Sequence, residues 1–414
     1  MNEAKQKFRL TSLERAWILY DVGNSAFVLL VATLIPIFFN ALAEGGGLSS
    51  VEYLAYWGYA ASAVTVITAV LSPILGTLAD TRNFKKTIFT FCVAVGVIGC
   101  CAMGMASTWL PFLLIFIFAK VGFSGSLVFY DSMLSDVTVP DRMDEVSSKG
   151  YAWGYIGSCV PFVVCLALVL GAGSIGISQM TALNLALFIT AAWWLVTTLP
   201  LLRQYKQVHF VEVQEHAIRQ SFARIGHTLR HLKEDRQVFW FLLAFFCYID
   251  GVYTIIDMAT AYGTALGLDT TGLLLALLVT QIVAFPSALV FGRLSGQYPS
   301  GTLIPVCIAA YAGIALFAFF LKHQWQFWVL AVVVGMFQGG IQALSRSHFA
   351  KIIPPEKSGE YFGLFDICGK GASFLGTMIV SVGSQLTGSA NVGVGSLIVL
   401  FIVGFVLFRV SDRK

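Results

Sequence analysis

The chain contains little charge for its length. Only 12% of its 414 residues are Asp, Glu, Lys or Arg, whereas 57% are hydrophobic. An ordinary soluble domain has about 25% charged residues. The composition therefore excludes a typical soluble domain and indicates a protein that crosses a membrane many times.

The basic residues form no patch, although the net charge is +4. They are dispersed among apolar runs without interleaved aromatic residues, so we expect no nucleic-acid partner. Met1 to Arg15 lacks the apolar region and small-residue cleavage site of a removable signal. Walker A, flavin and metal-ligand motifs are also missing, so we expect neither a cofactor nor a metal.

The cysteine and histidine residues lack the spacing that chemistry requires. All eight Cys residues lie in apolar runs, where we interpret them as small apolar side chains. All six His residues lie in or beside predicted loops, away from any nucleophile. The sequence therefore predicts no catalytic residue and no enzyme.

Long hydrophobic runs dominate what is present. Twelve of them are long enough to span a bilayer as α-helices. They cover residues 17–43, 53–79, 87–107, 111–136, 150–172, 180–202, 238–266, 271–295, 302–321, 326–348, 360–386 and 391–409. We predict an all-α integral membrane fold of two pseudo-symmetric six-helix bundles.

The positions of the basic residues predict the topology. Placing both termini on the cytoplasmic side of the plasma membrane puts 23 of the 26 basic residues on that side. The longest polar interval divides the chain into a bundle at 1–202, a linker at 203–237 and a bundle at 238–414. Phe222, Ile225, Leu229 and Leu232 predict either an interfacial helix in this linker or, alternatively, a flexible tether.

The first span carries a charge within an apolar segment. Asp21, Asn24 and Ser25 share one helical face, which we expect to look into a cavity or another helix. A weak repeat relates the halves, because Tyr20-Asp21 is echoed by Tyr248-Ile249-Asp250 in span 7. Two copies of a six-helix unit are what a two-bundle transporter needs.

The turn after span 2 resembles a loop of the major facilitator superfamily. It runs from Gly76 to Lys86 and departs from the pattern at Asn83, where a second glycine is typical. Asp80 can accept hydrogen bonds from backbone N–H groups at a neighbouring helix start and pair with a base. We expect Asp80, Arg82 and Lys85 to hold the cytoplasmic side closed.

Four further patches resemble the autophagy-related vacuolar amino-acid effluxers and their bacterial relatives, the unknown major facilitator family. The patches are Trp17 to Phe27, Phe129 to Leu134, Asp250 to Ile256, and Gly339 to Ser347 with its continuation to Lys370. Asp131 stands where the family pattern has Asn. The resemblance implies secondary transport around a central cavity lined by spans 1, 4, 7 and 10.

The candidate site residues lie on these spans. The candidates for substrate binding or coupling are Asp21, Asn24, Lys120, Tyr130, Asp131, Asp250, Tyr253, Gln281, Gln338, Gln342 and Lys370. For Asp21 and Asp250 the alternatives are substrate contact, proton carriage or a structural ion pair, with Asp250 better placed for the site. Arg346 is interpreted as a gate or topology residue, and we expect Asp257 to reach water near the outer end of span 7.

The remaining polar candidates also have two interpretations. Lys120 and Lys370 can bind a substrate carboxylate or act as counter-ions, Lys370 to Asp366 one turn earlier. The amides of Asn24, Gln338 and Gln342 suit either a zwitterionic ligand or bonds between helices.

The predicted activity is transport of a small polar or zwitterionic solute such as an amino acid, with proton coupling as a hypothesis. Export of a lipid or amphiphile on the same fold is the alternative. The expected partners are a small-molecule substrate, protons and membrane lipids, with the protein acting as a monomer.

Overall fold

The computed structural model describes residues 9–212, 230 and 232–412 and is almost entirely helical. Within this part of the chain, the sole β pairing is an isolated bridge between Thr81 and Val211. The α-helices are α1 (Ser12–Ala32), α2 (Leu34–Gly45), α3 (Ser50–Ala79), α4 (Phe84–Met103), α5 (Trp109–Ser132), α6 (Leu134–Val137), α7 (Pro140–Leu170), α8 (Gln179–Gln204), α9 (Arg236–Ala265), α10 (Thr270–Leu294), α11 (Ser300–Phe319), α12 (Gln324–Ile352), α13 (Ser358–Thr387), α14 (Ala390–Gly395) and α15 (Ile398–Ser411).

The predicted all-α membrane fold is confirmed. Eleven of the described segments are long and apolar enough to cross a membrane, with α1 and α2 together forming the first and α14 and α15 together the last. Helix α13 occupies the position of the remaining predicted span, and its 30 residues extend over about 45 Å. The predicted linker helix at Phe222, Ile225 and Leu229 lies outside the described residues.

Local sequence signals explain where several helices begin. A capping box of Thr11 and Glu14 starts α1, five residues before the predicted apolar span. Pro140 starts α7, ten residues before the predicted span, because proline suits the first helical position. The break between α1 and α2 falls at Thr33, three residues before Pro36, which has no N–H to donate. Apolarity alone predicted the starts of α1 and α7 too late, because the first turns of these two helices are polar.

The helices form two groups that meet along two seams. Helix α1 packs on α7 and α8, and α4 packs on α5, within the first group. Helix α9 packs on α13 and α15, and α11 packs on α12, within the second. The seams are α3 against α13 and α7 against α10 and α12.

Glycine permits the close approach at the first seam. A Cβ atom at Gly363 would lie 2.7 Å from the Ser72 carbonyl oxygen, and one at Gly359 would lie 2.8 Å from Asp80 Oδ1. Both distances are too short for a carbon atom. The seam between α3 and α13 therefore requires glycine at these positions.

Candidate transport site

The bundles enclose a cavity of about 400 Å³ in the middle of the molecule. Its walls come from α1, α5 and α7 on one side and from α9, α10, α12 and α13 on the other. The lining contains Asp21, Asn24, Ser25, Val28, Leu29, Leu127, Val128, Tyr130, Asp131, Tyr151, Tyr155, Ser158, Phe245, Tyr253, Ile256, Asp257, Gln281, Gln338, Gln342, Arg346, Phe362, Phe365, Asp366 and Gly369. The cavity therefore contains eight of the eleven predicted binding residues.

Arg346 of α12 closes one end of the cavity and joins the two groups of helices. Its Nη1 donates to Asp131 Oδ1 at 3.0 Å and lies 3.8 Å from Asp21 Oδ2. Its Nε donates to Ser147 Oγ at 2.9 Å, and its Nη2 donates to the Ser147 carbonyl oxygen at 3.0 Å. The guanidinium is thus fixed by residues of α1, α5 and α7.

Aromatic rings cover the faces of the same guanidinium. Its carbon lies 4.3 Å from the ring centre of Tyr151 and 4.7 Å from that of Trp17. Trp17 in turn stacks on Tyr130, with ring centres 4.3 Å apart. Gly150 makes room for this packing, since a Cβ atom there would lie 3.1 Å from Arg346 Nη2.

Asp21 and Asn24 face the cavity from α1, as their shared helical face predicted. The Asn24 amide donates to the Tyr20 carbonyl oxygen at 3.1 Å and to Asp21 Oδ1 at 3.3 Å. Asp21 Oδ2 is buried and accepts no hydrogen bond. One carboxylate oxygen therefore has no hydrogen bond, although the Arg346 guanidinium lies near it.

The opposite wall carries amides and hydroxyls. Tyr155 of α7 donates to Gln342 Oε1 across the seam at 3.0 Å. Gln338, one turn earlier on α12, is buried, and its Oε1 accepts no hydrogen bond. Gln281 and Gln338 also border a second, apolar pocket of about 50 Å³ inside the second group of helices.

A second acidic cluster lines the cavity on α9 and α13. Tyr253 lies within electrostatic range of Asp131, Asp257 and Asp366. Asp366 accepts a hydrogen bond from Ser72 Oγ at 2.8 Å. Asp257, which was expected to reach water, is exposed, and it lies within α9 on the cavity wall.

Two predicted residues, Asp250 and Lys120, are not among the described residues that line the cavity. Asp250 is fully buried between α9 and α13, where its Oδ1 accepts from the Gly376 N–H at 2.9 Å and from Thr254 Oγ1 at 3.3 Å. The Lys120 ammonium lies 4.7 Å from the Phe123 ring centre and attracts Asp257. The side chain of Lys370 lies outside the described part of the structure.

Hydrogen bonds also join the bundles at the basic end, by which we mean the helix ends that carry Arg82, Lys85, Arg142 and Lys351. Asp80 Oδ1 and Oδ2 accept from the backbone N–H groups of Gly359 and Glu360 at 2.7 and 2.9 Å. These groups begin α13, so the predicted contact with a neighbouring helix start is present. Lys85 Nζ lies 4.0 Å from Asp80 and donates to Ser358 Oγ at 2.8 Å.

A second contact at the basic end is one that the sequence did not indicate. Asp144 of α7 accepts from Ser347 Oγ at 2.6 Å and from Lys351 Nζ at 2.5 Å, both on α12. Arg82, in contrast, is exposed and pairs with Glu212 at 3.7 Å, so it joins no bundle to the other.

The chain after α8 binds back onto the basic end. We call residues 205–212 the strap. Val211 donates to the Asp80 carbonyl oxygen at 2.8 Å, and Tyr205 Oη donates to Asp136 Oδ2 at 2.5 Å. His209 contributes its backbone N–H, at 2.8 Å, and its Nδ1, at 3.1 Å, to Asp136 Oδ1.

Opposite charges determine how the strap titrates. Burial favours a higher pKa for Asp136, but the Lys85 ammonium and the His209 and Tyr205 hydrogen bonds outweigh it, so this pKa is lowered. The hydrogen bond to Asp136 raises the pKa of His209. The pair is therefore charged in a window around and below the ordinary pKa of histidine.

Residues that sequence reasoning missed lie mainly on α7. Ser147, Tyr151 and Tyr155 recur four residues apart and share one helical face towards the cavity. That spacing was a usable signal, but Ser147 lay outside the predicted span, so only Tyr151 and Tyr155 of the three were within it. The strap had no comparable signal, because its contacts combine backbone groups with side chains that follow no helical spacing.

The helices adopt the fold of the major facilitator superfamily. The human organic anion transporter MFSD10 superposes with a TM-score of 0.72, at 13% identity, over 96% of this chain and 98% of that one. The transporter FucP in its outward conformation also gives 0.72, at 16% identity, over 97% of this chain and 98% of that one.

Sequence comparison identifies the family within this superfamily. The model of the vacuole effluxer Atg22 like family matches residues 12–141 and 135–414, and the chain belongs to that family. It is 42% identical to the uncharacterized MFS-type transporter YxiO of Bacillus subtilis over 96% of this chain and 94% of that protein. It is 25% identical to autophagy-related protein 22 of Coccidioides immitis over 65% of this chain and 51% of that protein.

Proposed function

We propose that this protein is a secondary transporter that moves a small polar or zwitterionic solute, such as an amino acid, by alternating access. The observation that carries the proposal is the cavity between the bundles, closed at one end by Arg346. Its volume falls within the range of about 300–1,000 Å³ that small-molecule sites occupy. We propose transport rather than catalysis, in a monomer surrounded by lipid.

The orientation and the energy source form part of the same proposal. The basic end faces the cytoplasm and the membrane is the plasma membrane, in agreement with the bias of Lys and Arg residues. The energy source is a proton gradient, and Asp21 or Asp250 carries the coupled proton. Asp250 is suited to this role because its Oδ2 is buried and accepts no hydrogen bond.

Export of an amphiphile is the second candidate function. The apolar pocket beside Gln281 and Gln338 favours it, because an apolar chain would extend there from the cavity. A carrier for small polar solutes would leave that pocket empty. The two candidates differ in whether lysolipids or small solutes bind.

A screen followed by counterflow tests the proposal. Purified protein is heated with amino acids, peptides, betaines, organic acids, sugars and lysolipids, since any ligand of the folded state raises the melting temperature. Each stabilising solute is then loaded into proteoliposomes, and we expect uptake of the labelled solute to overshoot its equilibrium level. Absence of counterflow for every stabilising solute would contradict the proposal.

A further inference from the structure

The described cavity lining contains more carboxylates than cations. Four carboxylates line it, from Asp21, Asp131, Asp257 and Asp366, against one described cation, Arg346. Lys120 is not part of the lining, and its ammonium lies against the ring of Phe123 and attracts Asp257. An anionic solute that approached Arg346 would have the carboxylates of Asp21 and Asp131 as neighbours.

Arg346 is already engaged along its edges and on its faces. Each of its three nitrogens donates a hydrogen bond, to Asp131 or to Ser147, and the rings of Tyr151 and Trp17 cover the guanidinium plane. These bonds use three of the five N–H groups, so a solute carboxylate would have to compete with Asp131 for the guanidinium charge. Among the described groups of the lining, the one cation is therefore already paired with a carboxylate.

Buried acceptors point into the cavity without a donor. Asp21 is 6% exposed, and its Oδ2 accepts no hydrogen bond. Gln338 is 5% exposed, and its Oε1 accepts none either. Since a carboxylate has only acceptors, Asp21 needs a donor whatever the orientation of the Gln338 amide. A bound N–H group would satisfy an acceptor that is otherwise costly to bury.

Aromatic rings in the lining suit the same kind of ligand. Phe245, Tyr253 and Phe365 line the wall on α9 and α13, close to the carboxylates. Cations are attracted to aromatic faces, most strongly where water is excluded. Beyond Gln338, the apolar pocket offers space for an apolar group on the solute.

We propose that the cavity recognises its solute through a protonated amine placed at Asp21 Oδ2, so that amines without a carboxylate are ligands of the same site. This inference rests on the proposed function, in which the cavity holds the transported solute. It adds the substrate class, namely ammonium compounds that carry an apolar group. The solute carboxylate contributes little to binding.

Three compounds that share one skeleton test the inference on the unmodified protein. Phenylalanine carries both charges, phenethylamine lacks the carboxylate, and 3-phenylpropanoate lacks the amine. Each is titrated against the purified full chain, with the rise in melting temperature as the measure of binding. We expect phenethylamine to bind within tenfold of phenylalanine, and 3-phenylpropanoate to bind at least tenfold more weakly than either.

The other outcomes overturn the inference. Binding of 3-phenylpropanoate in preference to phenethylamine would show that the carboxylate is recognised, and binding of phenylalanine alone would show that both charges are needed. Binding of none of the three would also overturn it. Counterflow of an organic acid or a sugar in the wider screen would then leave the transport proposal standing, so the two failures are distinguishable.

A variant locates the site of binding. We expect Asp21→Asn to weaken phenethylamine binding at least tenfold, while the melting temperature without ligand shows that the variant is folded. The matched control is Asp269→Asn, at the N-cap of α10 far from the cavity, where asparagine caps as well as aspartate. Unchanged phenethylamine affinity in a folded Asp21→Asn protein would contradict the placement of the amine at Asp21. The three-compound series is independent of this test because it uses the unmodified protein.

Discussion

The first helix of each half buries a tyrosine that hydrogen-bonds to a serine. The acidic residue beside that tyrosine is placed differently in the two halves. In the first half, Tyr20 of α1 donates to Ser126 Oγ of α5 at 2.7 Å. In the second, Tyr248 of α9 and Ser345 of α12 share a hydrogen bond of 2.6 Å. The two tyrosines are fully buried and occupy equivalent places in the two groups of helices.

The acids beside these tyrosines have different surroundings. Asp21 follows its tyrosine directly, whereas Asp250 follows Tyr248 by two residues. One added residue turns a helical side chain by about 100°. Asp21 therefore faces the cavity, and Asp250 faces α13 and the Gly376 N–H. The halves share a framework, but only the first places this acid in the cavity.

The largest expected effect comes from removing the link between Arg346 and the first half. We expect Arg346→Met to cost about 3–5 kcal/mol of stability, because it leaves Asp131 and Asp21 without their counter-charge. Thermal unfolding of the purified protein measures this. The control is Arg82→Met, whose exposed ion pair is worth about 0.5 kcal/mol. Equal melting temperatures for the two variants would contradict the assignment.

The next effect concerns a contact that only the first half makes. Asp80 receives two backbone N–H groups of α13, whereas Gly296 stands at the corresponding place of the second half. Asparagine keeps one acceptor oxygen, so we expect Asp80→Asn to weaken closure of the basic end by about 1.5–3 kcal/mol. Thiol labelling of a cysteine that replaces Ser358 should be faster in the Asp80→Asn variant than in its parent. Unchanged labelling would show that Asp80 does not hold that end.

The two acids themselves provide the third prediction. The Asp250→Asn substitution keeps the acceptor oxygen that Gly376 and Thr254 use. We therefore expect this variant to retain counterflow but to lose pH-driven accumulation. Asp21→Asn should weaken solute binding at least tenfold, or about 1.4 kcal/mol. Liposome assays with and without a pH gradient separate these effects, and the same defect in both variants would contradict the comparison.

The shared framework gives a smaller and symmetric effect. Tyr20→Phe and Tyr248→Phe each remove one buried hydrogen bond, and each should cost about 1 kcal/mol. Denaturation of the two single variants under one condition checks this. Costs that differ by more than about 1 kcal/mol would show that the two tyrosines are not equivalent in energy.

The strap gives the smallest effect and a pH dependence. Because the pKa of His209 is raised, its ion pair with Asp136 stabilises the protein below the ordinary histidine pKa and is lost as pH rises through the raised value. The side chain is 35% exposed, so the pair is worth about 0.5 kcal/mol. The melting temperature of His209→Gln should fall below that of the parent at about pH 5.5 and converge with it at about pH 8.5. A difference that grows with pH would contradict the pairing.

Much of the fold could be predicted from the sequence because the signals were strong and local. Apolar runs predicted the spans, and the Asp80 turn predicted a contact with a helix start that the structure contains. The faces of long helices were harder to predict. The pairing of Asp21 with Asp250 by sequence echo ignored the one-residue offset, so Asp250 was expected at the site and lies behind it.

The sequence could not predict which side chains meet across the two bundles. Arg346 lies 199 residues from Ser147 and 215 from Asp131 along the chain, and its pattern indicated a gate or a topology residue but not these partners. Ser147 became recognisable as a helical residue only when α7 was seen to begin at Pro140, whereas Tyr151 and Tyr155 lay within the predicted span and were not recognised as facing the cavity. The strap combines backbone hydrogen bonds, which no residue type signals, with contacts of Tyr205 and His209 to Asp136, which is 69 or more residues away along the chain.

The central claim is that the two ends of the cavity open in turn, and a pair of distances tests it most directly. Spin labels at exposed Asp141 and Glu356 span the bundles at the basic end, and labels at exposed Ala41 and Thr264 span them at the opposite end. Both distances are measured with and without a counterflow substrate, in a background depleted of the eight free cysteines. We expect the basic-end distance to lengthen in one condition while the opposite distance shortens. Two distances that stay fixed, or that change in the same sense, would contradict alternating access.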